Sequence, residues 1–183
     1  LTALARALAT ITAHPEVPVG AVALADEPAL PKPLPDTWAG GVYARLEQRV
    51  RDAAHEPALI VGDESLTYGE LSARAALVAG ALKAAGVAPG GVVAMHLERG
   101  VDVAIAVAGI LRAGAAWLPL DPAYPRSRTL DILHDAKPSV LLTQRAHAES
   151  LAESGVRELL LEDCASATPA EPVAVRPNSP AYL

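Results

Sequence analysis

Histidine and cysteine side chains are those best suited to metal binding, proton transfer or nucleophilic attack, yet their spacing in this sequence supports none of these. The histidines are His14, His55, His96, His134 and His147. No HxH or HxxxH pair occurs among them, whereas metal sites draw their ligands from short, recurring intervals. His96 lies within an apolar run and is interpreted as a hydrogen-bonded core histidine. Cys164 has no partner base nearby in the sequence and is interpreted as structural.

Carboxylates offer three further candidates for chemistry. Asp63 with Glu64, and Glu162 with Asp163, form adjacent pairs, but both pairs lie in apparent turns where solvation explains them. Asp121 follows an apolar run, and α/β folds place ligand-binding groups at the ends of such strands. Since Asp before Pro also initiates turns, the turn interpretation of Asp121 is favoured.

Glycine-rich segments are the remaining candidates, because bare backbone amides can approach a phosphate closely. The stretch GVAPGG, residues 86–91, leads into a predicted strand rather than a helix and is interpreted as a turn. A GxSxG nucleophile motif is absent from the sequence. The residues by themselves therefore predict no catalytic, cofactor-binding or metal-binding position.

Composition sets the class of protein that must hold these residues. The 183 residues are 51% hydrophobic, which is enough for one domain with a sizeable core. A net charge of -6 without a basic face argues against nucleic acid as a partner. The apolar run 101–111 is too short for a membrane span, which needs about 20 residues. A single cysteine is typical of a reducing compartment, so we expect a cytoplasmic protein without a membrane partner.

The amino-terminal third divides into a helix, a linker and a second helix. Apolar residues repeat with helical spacing over residues 1–13, and Leu8 and Ile11 fall on the apolar face. Residues 15–35 are rich in proline and predict an extended linker, with a domain boundary in the first 40 residues. A second helix is predicted over residues 42–54, and Val42 is placed on its apolar face with Leu46.

A hairpin and a capped helix are predicted next. Residues 58–61 and 65–67 resemble two short strands around Gly62-Asp63. Thr67 is the predicted N-cap of the following helix, and Glu70 at its third position completes a capping box. This box accounts for both polar side chains without catalysis. The helix is predicted to end at Gly86, which tolerates the left-handed conformation.

The rest of the sequence alternates strands and helices. Residues 92–97, 101–113 and 116–121 predict a parallel strand-helix-strand unit with a largely buried helix. Further elements are a helix from Pro125 to Ala136, a strand at 139–143, a short helix at 147–153 and a strand at 158–162. Residues 164–180 are predicted to be irregular, and residues 181–183 to begin another strand. This order predicts a layered, doubly wound α/β fold.

Two of these segments resemble core motifs of the adenylation domains of nonribosomal peptide synthetases, in the adenylate-forming enzyme superfamily. The first motif, L-T/S-Y-x-E-L, is matched by Leu66, Thr67, Tyr68, Glu70 and Leu71. The second, L-K-A-G-x-A-Y-L-P-L-D, is matched over residues 111–121, with Arg112 and Trp117 as departures. The continuation PxYPxxR at residues 122–128 distinguishes this subfamily from acyl-CoA synthetases and luciferases.

The resemblance implies a domain organisation and a reaction. Residues 1–13 resemble the last helix of a condensation domain, residues 14–40 the interdomain linker, and residues 41–183 the start of an adenylation domain truncated before its phosphate-loop motif. The parent protein is implied to use ATP and Mg²⁺ to convert an amino acid to its aminoacyl adenylate. A carrier protein's phosphopantetheine thiol then accepts the acyl group. Catalytic and cofactor-binding residues are implied to lie downstream, so this chain is expected to be inactive scaffold.

Three alternatives stay open at this level. The chain could be a docking platform for a condensation domain, or the first part of an adenylation domain interrupted by a tailoring domain. An unrelated flavodoxin-like or Rossmann binding module is the third, although the glycine fingerprint expected after its first strand is missing.

Overall fold

The computed structural model describes residues 2–16, 41–176 and 178–183. The chain falls into two units, residues 1–38 and residues 39–183. The first unit contains the predicted helix as α1 (Thr2–Ala13). Leu8 and Ile11 on its predicted apolar face are 56% and 45% exposed. From residue 17 onward, the linker predicted over residues 14–40 lies outside the described residues.

The second unit is built on a four-stranded parallel sheet with strand order β4-β3-β5-β6. Its strands are β3 (Val92–His96), β4 (Ala116–Pro119), β5 (Val140–Thr143) and β6 (Glu158–Leu160). Its helices are α2 (Val42–Ala53), α3 (Tyr68–Ala84), α4 (Val101–Arg112) and α5 (Arg126–Ala136). The predicted parallel unit β3-α4-β4 is confirmed.

Helices cover both faces of this sheet. Successive residues of a strand point to opposite faces, and the two cores follow that alternation. Val93 and Met95 belong to the larger core, which also contains the buried residues of α3 and α4. Ala94 and Leu141 belong to a smaller core that includes Leu133 of α5. The predicted layered α/β fold is therefore confirmed.

An antiparallel hairpin of β1 (Pro57–Val61) and β2 (Glu64–Thr67) precedes α3, as predicted. The predicted helix before it is α2, but its buried face differs from the prediction. Val42 is 60% exposed, whereas Tyr43 is buried. The reason is a long-range contact, because the hydroxyl of Tyr43 accepts a hydrogen bond from Arg112 of α4.

Helices α3 and α4 end in the same way. Gly86 after α3 has a φ of 89°, and the N–H groups of Gly86 and Val87 each donate to a carbonyl of the last turn at 3.0 Å. Gly114, with a φ of 74°, ends α4 with the same pair of bonds. The N–H of Gly90 donates to the carbonyl of Gly114 at 2.8 Å. The two helix ends are thus tied together where the chain enters β3 and β4.

The segment after β5 contains the main errors in the predicted elements. A helix over residues 147–153 is wrong, because two 3₁₀ helices, Arg145–His147 and Ala152–Ser154, lie there instead. The left-handed conformation of Glu149, with a φ of 63°, interrupts a continuous helical path. The strand predicted over 158–162 ends at Leu160, and a further 3₁₀ helix, Glu162–Ser166, follows.

One smaller difference lies before β5. Pro125 precedes helix α5 rather than lying in its first turn, as predicted from the sequence.

Residues 167–175, here called the strap, run along α3 and α4. The N–H of Ala170 donates to the carbonyl of Ala76 in α3, and that of Val173 to the carbonyl of Arg112 in α4. The chain then reaches β4, where Tyr182 forms a parallel bridge with Trp117. The strand predicted to begin at residues 181–183 is confirmed by this bridge.

Candidate functional site

The carboxyl edge of the parallel sheet is where this class of fold presents ligand-binding groups. Three segments meet there, namely residues 97–100 after β3, residues 120–124 after β4 and residues 144–147 after β5. Strand β4 lies on one side of β3 and strand β5 on the other. Strand β3 connects through α4 to β4 on one side, and β5 connects to β6 on the other, so the two connections diverge. The point where they part is here called the crevice.

A hollow of about 520 Å³ lies at the ends of β3 and β4. Apolar side chains such as Met95 and Trp117 form much of its lining, and Glu98, Arg99 and Asp121 supply its charges. Arg99 and Asp121 form an ion pair at 3.6 Å, and the Arg99 side chain is 94% exposed. The hollow therefore offers an apolar surface on which Arg99 and Asp121 pair with each other, while Glu98 adds one further negative charge.

Asp121 serves the backbone of the turn that leaves β4. Its carboxylate accepts a hydrogen bond from the N–H of Ala123 at 2.9 Å, and its carbonyl accepts from the N–H of Tyr124 at 2.9 Å. These bonds are those of an aspartate that initiates a turn. The turn interpretation of Asp121 is confirmed.

Gln144 occupies the crevice between the segments after β3 and β5. Its Oε1 accepts the N–H of Glu98 at 2.9 Å, and its Nε2 donates to the carboxylate of Asp102 at 2.7 Å. Asp102 lies in the first turn of α4, where a negative charge stabilises the helix. The same charge disfavours a phosphate at that helix end. The two hydrogen bonds of Gln144 also occupy the crevice with the chain's own polar groups.

His96 and His147 form a ring contact at this crevice. His96 is 7% exposed, but the prediction that it is hydrogen-bonded is wrong for its Nδ1, which is buried without a partner among the described residues. The ring lies 5.1 Å from that of His147 at an interplanar angle of 60°. Burial and then the neighbouring His147 lower the pKa of His96 below its ordinary value of 6.5. His147 Nε2 lies 3.0 Å from a carboxylate oxygen of Glu98.

Thr67 and Glu70 lie away from this edge and form the predicted capping box. The Glu70 carboxylate accepts the Thr67 N–H at 2.9 Å, and the Thr67 hydroxyl accepts the Glu70 N–H at 3.2 Å. The backbone and hydroxyl bonds from Thr67 lower the pKa of Glu70. Gly86 and Gly90 shape a turn that leads into β3, as predicted, and not into a helix.

The thiol of Cys164 is buried and donates to the carbonyl of Leu160 at 3.4 Å. Burial, reinforced by the charge of Asp163, raises the pKa of this thiol to about 11. Because the thiolate is the nucleophilic form, Cys164 is unsuited to catalysis at neutral pH. Its structural interpretation is confirmed.

The two carboxylate pairs differ in their surroundings. Asp63 and Glu64 are exposed at the hairpin turn, as solvation predicts. Glu162 and Asp163 are not merely solvated, which corrects the prediction. Glu162 accepts the backbone N–H of Arg145 at 2.9 Å, and the Arg145 guanidinium donates to Asp163 at 2.6 Å. This pair fixes the start of the 3₁₀ helix that follows β5.

The described part of the chain shows neither a metal-binding cluster nor a membrane-spanning helix. Residues 2–16, 41–176 and 178–183 contain no group of three or more His, Cys, Asp or Glu side chains able to hold a metal ion. Within the same residues, no helix is both long and apolar enough to cross a membrane.

Gln144 and Arg112 were missed by the sequence analysis. Arg112, treated there as a departure from a motif, donates to the hydroxyl of Tyr43 and to the carbonyl of Ala170. One feature of the sequence could have indicated Gln144, since it is a polar residue directly after the buried strand β5. Neither contact can be read from local spacing, because the partners lie at least 42 residues apart in the chain.

Comparison with known proteins shows which protein family this chain resembles in sequence. A family described as AMP-binding enzyme matches residues 46–183. One of the linear gramicidin synthase proteins of Brevibacillus parabrevis is 36% identical over 140 residues, which are 76% of this chain and 3% of that protein. Tyrocidine synthase 3 from the same organism is 41% identical over 103 residues, 56% of this chain and 2% of that protein. The chain thus spans only a few hundredths of the length of these curated relatives.

Solved structures agree with this comparison. The AMPPNP-bound form of the nonribosomal peptide synthetase FmoA3 matches 76% of this chain and 15% of its own, with 34% identity and a TM-score of 0.70. Apo MatB from Rhodopseudomonas palustris matches 76% of this chain and 31% of its own, with 26% identity and a TM-score of 0.68. This chain belongs to the AMP-binding enzyme family, and within it corresponds to the N-terminal part of a nonribosomal peptide synthetase adenylation domain.

Proposed function

We propose that this chain is the scaffold portion of a nonribosomal peptide synthetase module that takes part in secondary metabolism. The complete module activates an amino acid with ATP as the aminoacyl adenylate and loads it as a thioester on a carrier protein. Family membership and the similarity to gramicidin and tyrocidine synthases support this class of reaction. One observation carries the scaffold role. At the carboxyl edge of the sheet, the polar side chains of Asp121, Gln144 and His147 are already hydrogen-bonded to neighbouring parts of the chain.

The glycine turn at residues 86–91 and the N-terminus of α4 do not fit the phosphates of ATP. Phosphates favour bare N–H groups at a helix N-terminus, but the glycine turn at residues 86–91 leads into β3. The first turn of α4 carries Asp102, whose charge repels a phosphate. No step of the reaction is therefore assigned to these residues. ATP, Mg²⁺ and the phosphopantetheine arm are proposed to be bound by other parts of the module.

The partners follow from the same proposal. Residues 1–13 are proposed to close a condensation domain, residues 14–40 to link it to the adenylation domain, and residues 41–183 to begin that domain. The remainder of the adenylation domain and a carrier protein are the further partners, and the amino acid is the substrate of the complete domain. We place the module in the cytoplasm, since the one cysteine of this chain is unpaired, which suits a reducing compartment.

Amino-acid-dependent exchange between ATP and pyrophosphate tests the scaffold role. We expect the 183-residue chain to show no exchange above a no-enzyme blank, and the full-length gene product to show it with its cognate amino acid. Exchange by the chain alone would contradict the proposal.

Asp121 provides a sharper test in the full-length gene product. Asp121→Asn keeps an oxygen for the Ala123 N–H but loses the charge that faces Arg99. Exchange should stay within about threefold of the unsubstituted protein, because exposed ion pairs contribute about 0–1 kcal/mol. Arg99→Gln is the matched control, since it removes the same ion pair from the other side. A loss of about 100-fold or more in Asp121→Asn alone would identify Asp121 as a reacting group.

A docking platform without activation is the second candidate. Leu8 and Ile11 are exposed on α1 and supply apolar side chains for a domain contact, which both candidates require. Full-length gene product that lacks exchange with every amino acid tested would support this alternative over the first.

A further inference from the structure

Two histidines join the segments that follow β3 and β5. His96 is the last residue of β3 and is paired in the sheet with Thr143, the last residue of β5. His147 ends the 3₁₀ helix Arg145–His147, which leaves the sheet after β5. Their rings meet edge to face, with centroids 5.1 Å apart. The contact therefore spans the crevice where the two connections diverge.

A second contact holds His147 in this position. Its Nε2 lies 3.0 Å from the carboxylate of Glu98, which follows β3. The His147 side chain is 23% exposed and that of Glu98 63%, so this side of the contact reaches water. His96 lies beneath it at 7% exposure, and its buried Nδ1 has no hydrogen-bond partner in the part of the chain that the structure describes. The contact thus joins one solvated and one buried imidazole.

The charges around His96 come from four elements. His147 faces it from the 3₁₀ helix, Glu98 from the segment after β3, Glu158 from β6 and Asp121 from the turn after β4. The carboxylates favour a proton on His96, whereas burial and His147 oppose it, and the opposing effects prevail. His96 is therefore uncharged at neutral pH, which allows the close ring contact.

We propose that His96 and His147 form an acid-sensitive latch that holds the 3₁₀ helix Arg145–His147 against the end of β3. With His96 uncharged, the rings pack and the latch is closed. A proton on His96 places a buried cation beside His147, and displacement of the 3₁₀ helix lets the charged ring reach water. Acid therefore favours the open form.

The direction and size of the effect follow from proton linkage. The open form binds a proton at the ordinary pKa of 6.5, whereas the closed form binds it only at a lower pH. The opening equilibrium constant consequently rises as the pH falls below 6.5 and levels off below the pKa of the closed form. The total increase is about tenfold for each unit by which the His96 pKa is lowered.

Backbone hydrogen exchange of the 183-residue chain, corrected for intrinsic exchange rates, tests the latch at about pH 7.5 and about pH 5.5. We expect protection over residues 144–148 to fall in acid while protection in β3 and β5 is retained. His96→Phe keeps an aromatic ring against His147 and should abolish the acid-dependent loss. His55→Gln is the matched control, because it removes an exposed histidine and should leave the loss unchanged.

Two results would overturn the latch. One is an equal acid-dependent loss in His96→Phe and in the unsubstituted chain; the other is a loss spread evenly over the whole sheet. If His96→Phe does not fold, the pH titration of the His96 ring protons, followed by NMR in the unsubstituted chain, tests the latch instead. His96 should titrate below pH 6.5, and titration of His96 at or above pH 6.5 would contradict the proposal.

Discussion

Thr67 and Glu70 have side chains that catalyse reactions in many proteins, yet here they satisfy backbone groups. Each accepts an N–H from the other residue at the start of α3. Asp121 does the same for the turn after β4. At the scale of single residues, the polar groups that first draw attention are therefore occupied by local structure.

The Thr67 cap can be tested by one pair of substitutions. Thr67→Ala removes the acceptor for the Glu70 N–H and should lower the free energy of unfolding by about 1 kcal/mol in urea denaturation. Thr67→Ser keeps the hydroxyl and should stay within about 0.5 kcal/mol of the original chain. A Ser variant as unstable as the Ala variant would indicate that the methyl group, and not the cap, matters.

The same cap has a defined pH dependence. Bonds from Thr67 lower the Glu70 pKa, so the stabilisation by this carboxylate is complete above its ordinary value of 4.5. It is lost as the pH falls through the lower pKa of the folded state. The difference in free energy of unfolding between Glu70→Gln and the original chain should therefore shrink over this acid range, because only the original chain loses a charged acceptor for the Thr67 N–H.

At the scale of elements, small residues allow the strap and two helices to approach one another. A Cβ on Gly109 of α4 would lie 2.5 Å from Val78 of α3, and a Cβ on Gly80 would lie 1.9 Å from the carbonyl oxygen of Thr168 in the strap. Because backbone cannot rotate away as a side chain can, Gly80 fixes how closely the strap packs on α3.

Gly80→Ala tests this packing. In a helix interior this substitution ordinarily stabilises by about 1 kcal/mol. Here the clash with Thr168 should reverse the sign and lower the free energy of unfolding by about 1–3 kcal/mol. Ala73→Gly at an exposed position of α3 is the control for intrinsic helix propensity. A Gly80→Ala chain more stable than the original would show that the strap can move without cost.

At the scale of the whole second unit, Arg112 connects three separate parts. From the end of α4 its guanidinium donates to Tyr43 of α2 and to Ala170 of the strap, and it lies 5.7 Å from the Tyr43 ring centroid. The Arg112 side chain is 11% exposed. A largely enclosed cation with partners on two other elements makes their positions interdependent.

Arg112→Lys should disconnect these parts, because an ammonium group cannot reproduce the planar, divergent donors of a guanidinium. We expect a loss of about 1–3 kcal/mol in the free energy of unfolding, measured in urea. Arg74→Lys on the exposed side of α3 is the matched control and should change stability by less than about 0.5 kcal/mol. Equal effects of the two substitutions would contradict the connecting role.

Local chemistry explains which of these features could be predicted from the sequence. The capping box at Thr67, the end of α3 at Gly86 and the turn at Asp121 depend on residues within a few positions of one another. The parallel unit around α4 follows from its apolar pattern and from the short connections to β3 and β4. Each of these predictions agrees with the structure.

Features that depend on distant partners could not be predicted in this way. Tyr43 is buried because Arg112 reaches it from another helix, so the apolar pattern of α2 wrongly favoured Val42. Gln144 and Glu98 meet only after β3 and β5 pair. Glu149 breaks the predicted helix by adopting a left-handed conformation, although it is not a glycine. Tertiary contacts decided all of these cases.

The enclosure of Cys164 has a practical consequence for spectroscopy. It is the single cysteine of the sequence, and it is the buried residue of the 3₁₀ helix Glu162–Ser166. A second cysteine placed on an exposed helix position would thus react with a maleimide fluorophore or nitroxide far faster than the native one. Two such exposed cysteines would therefore allow distance measurements on the folded chain without first replacing the native residue.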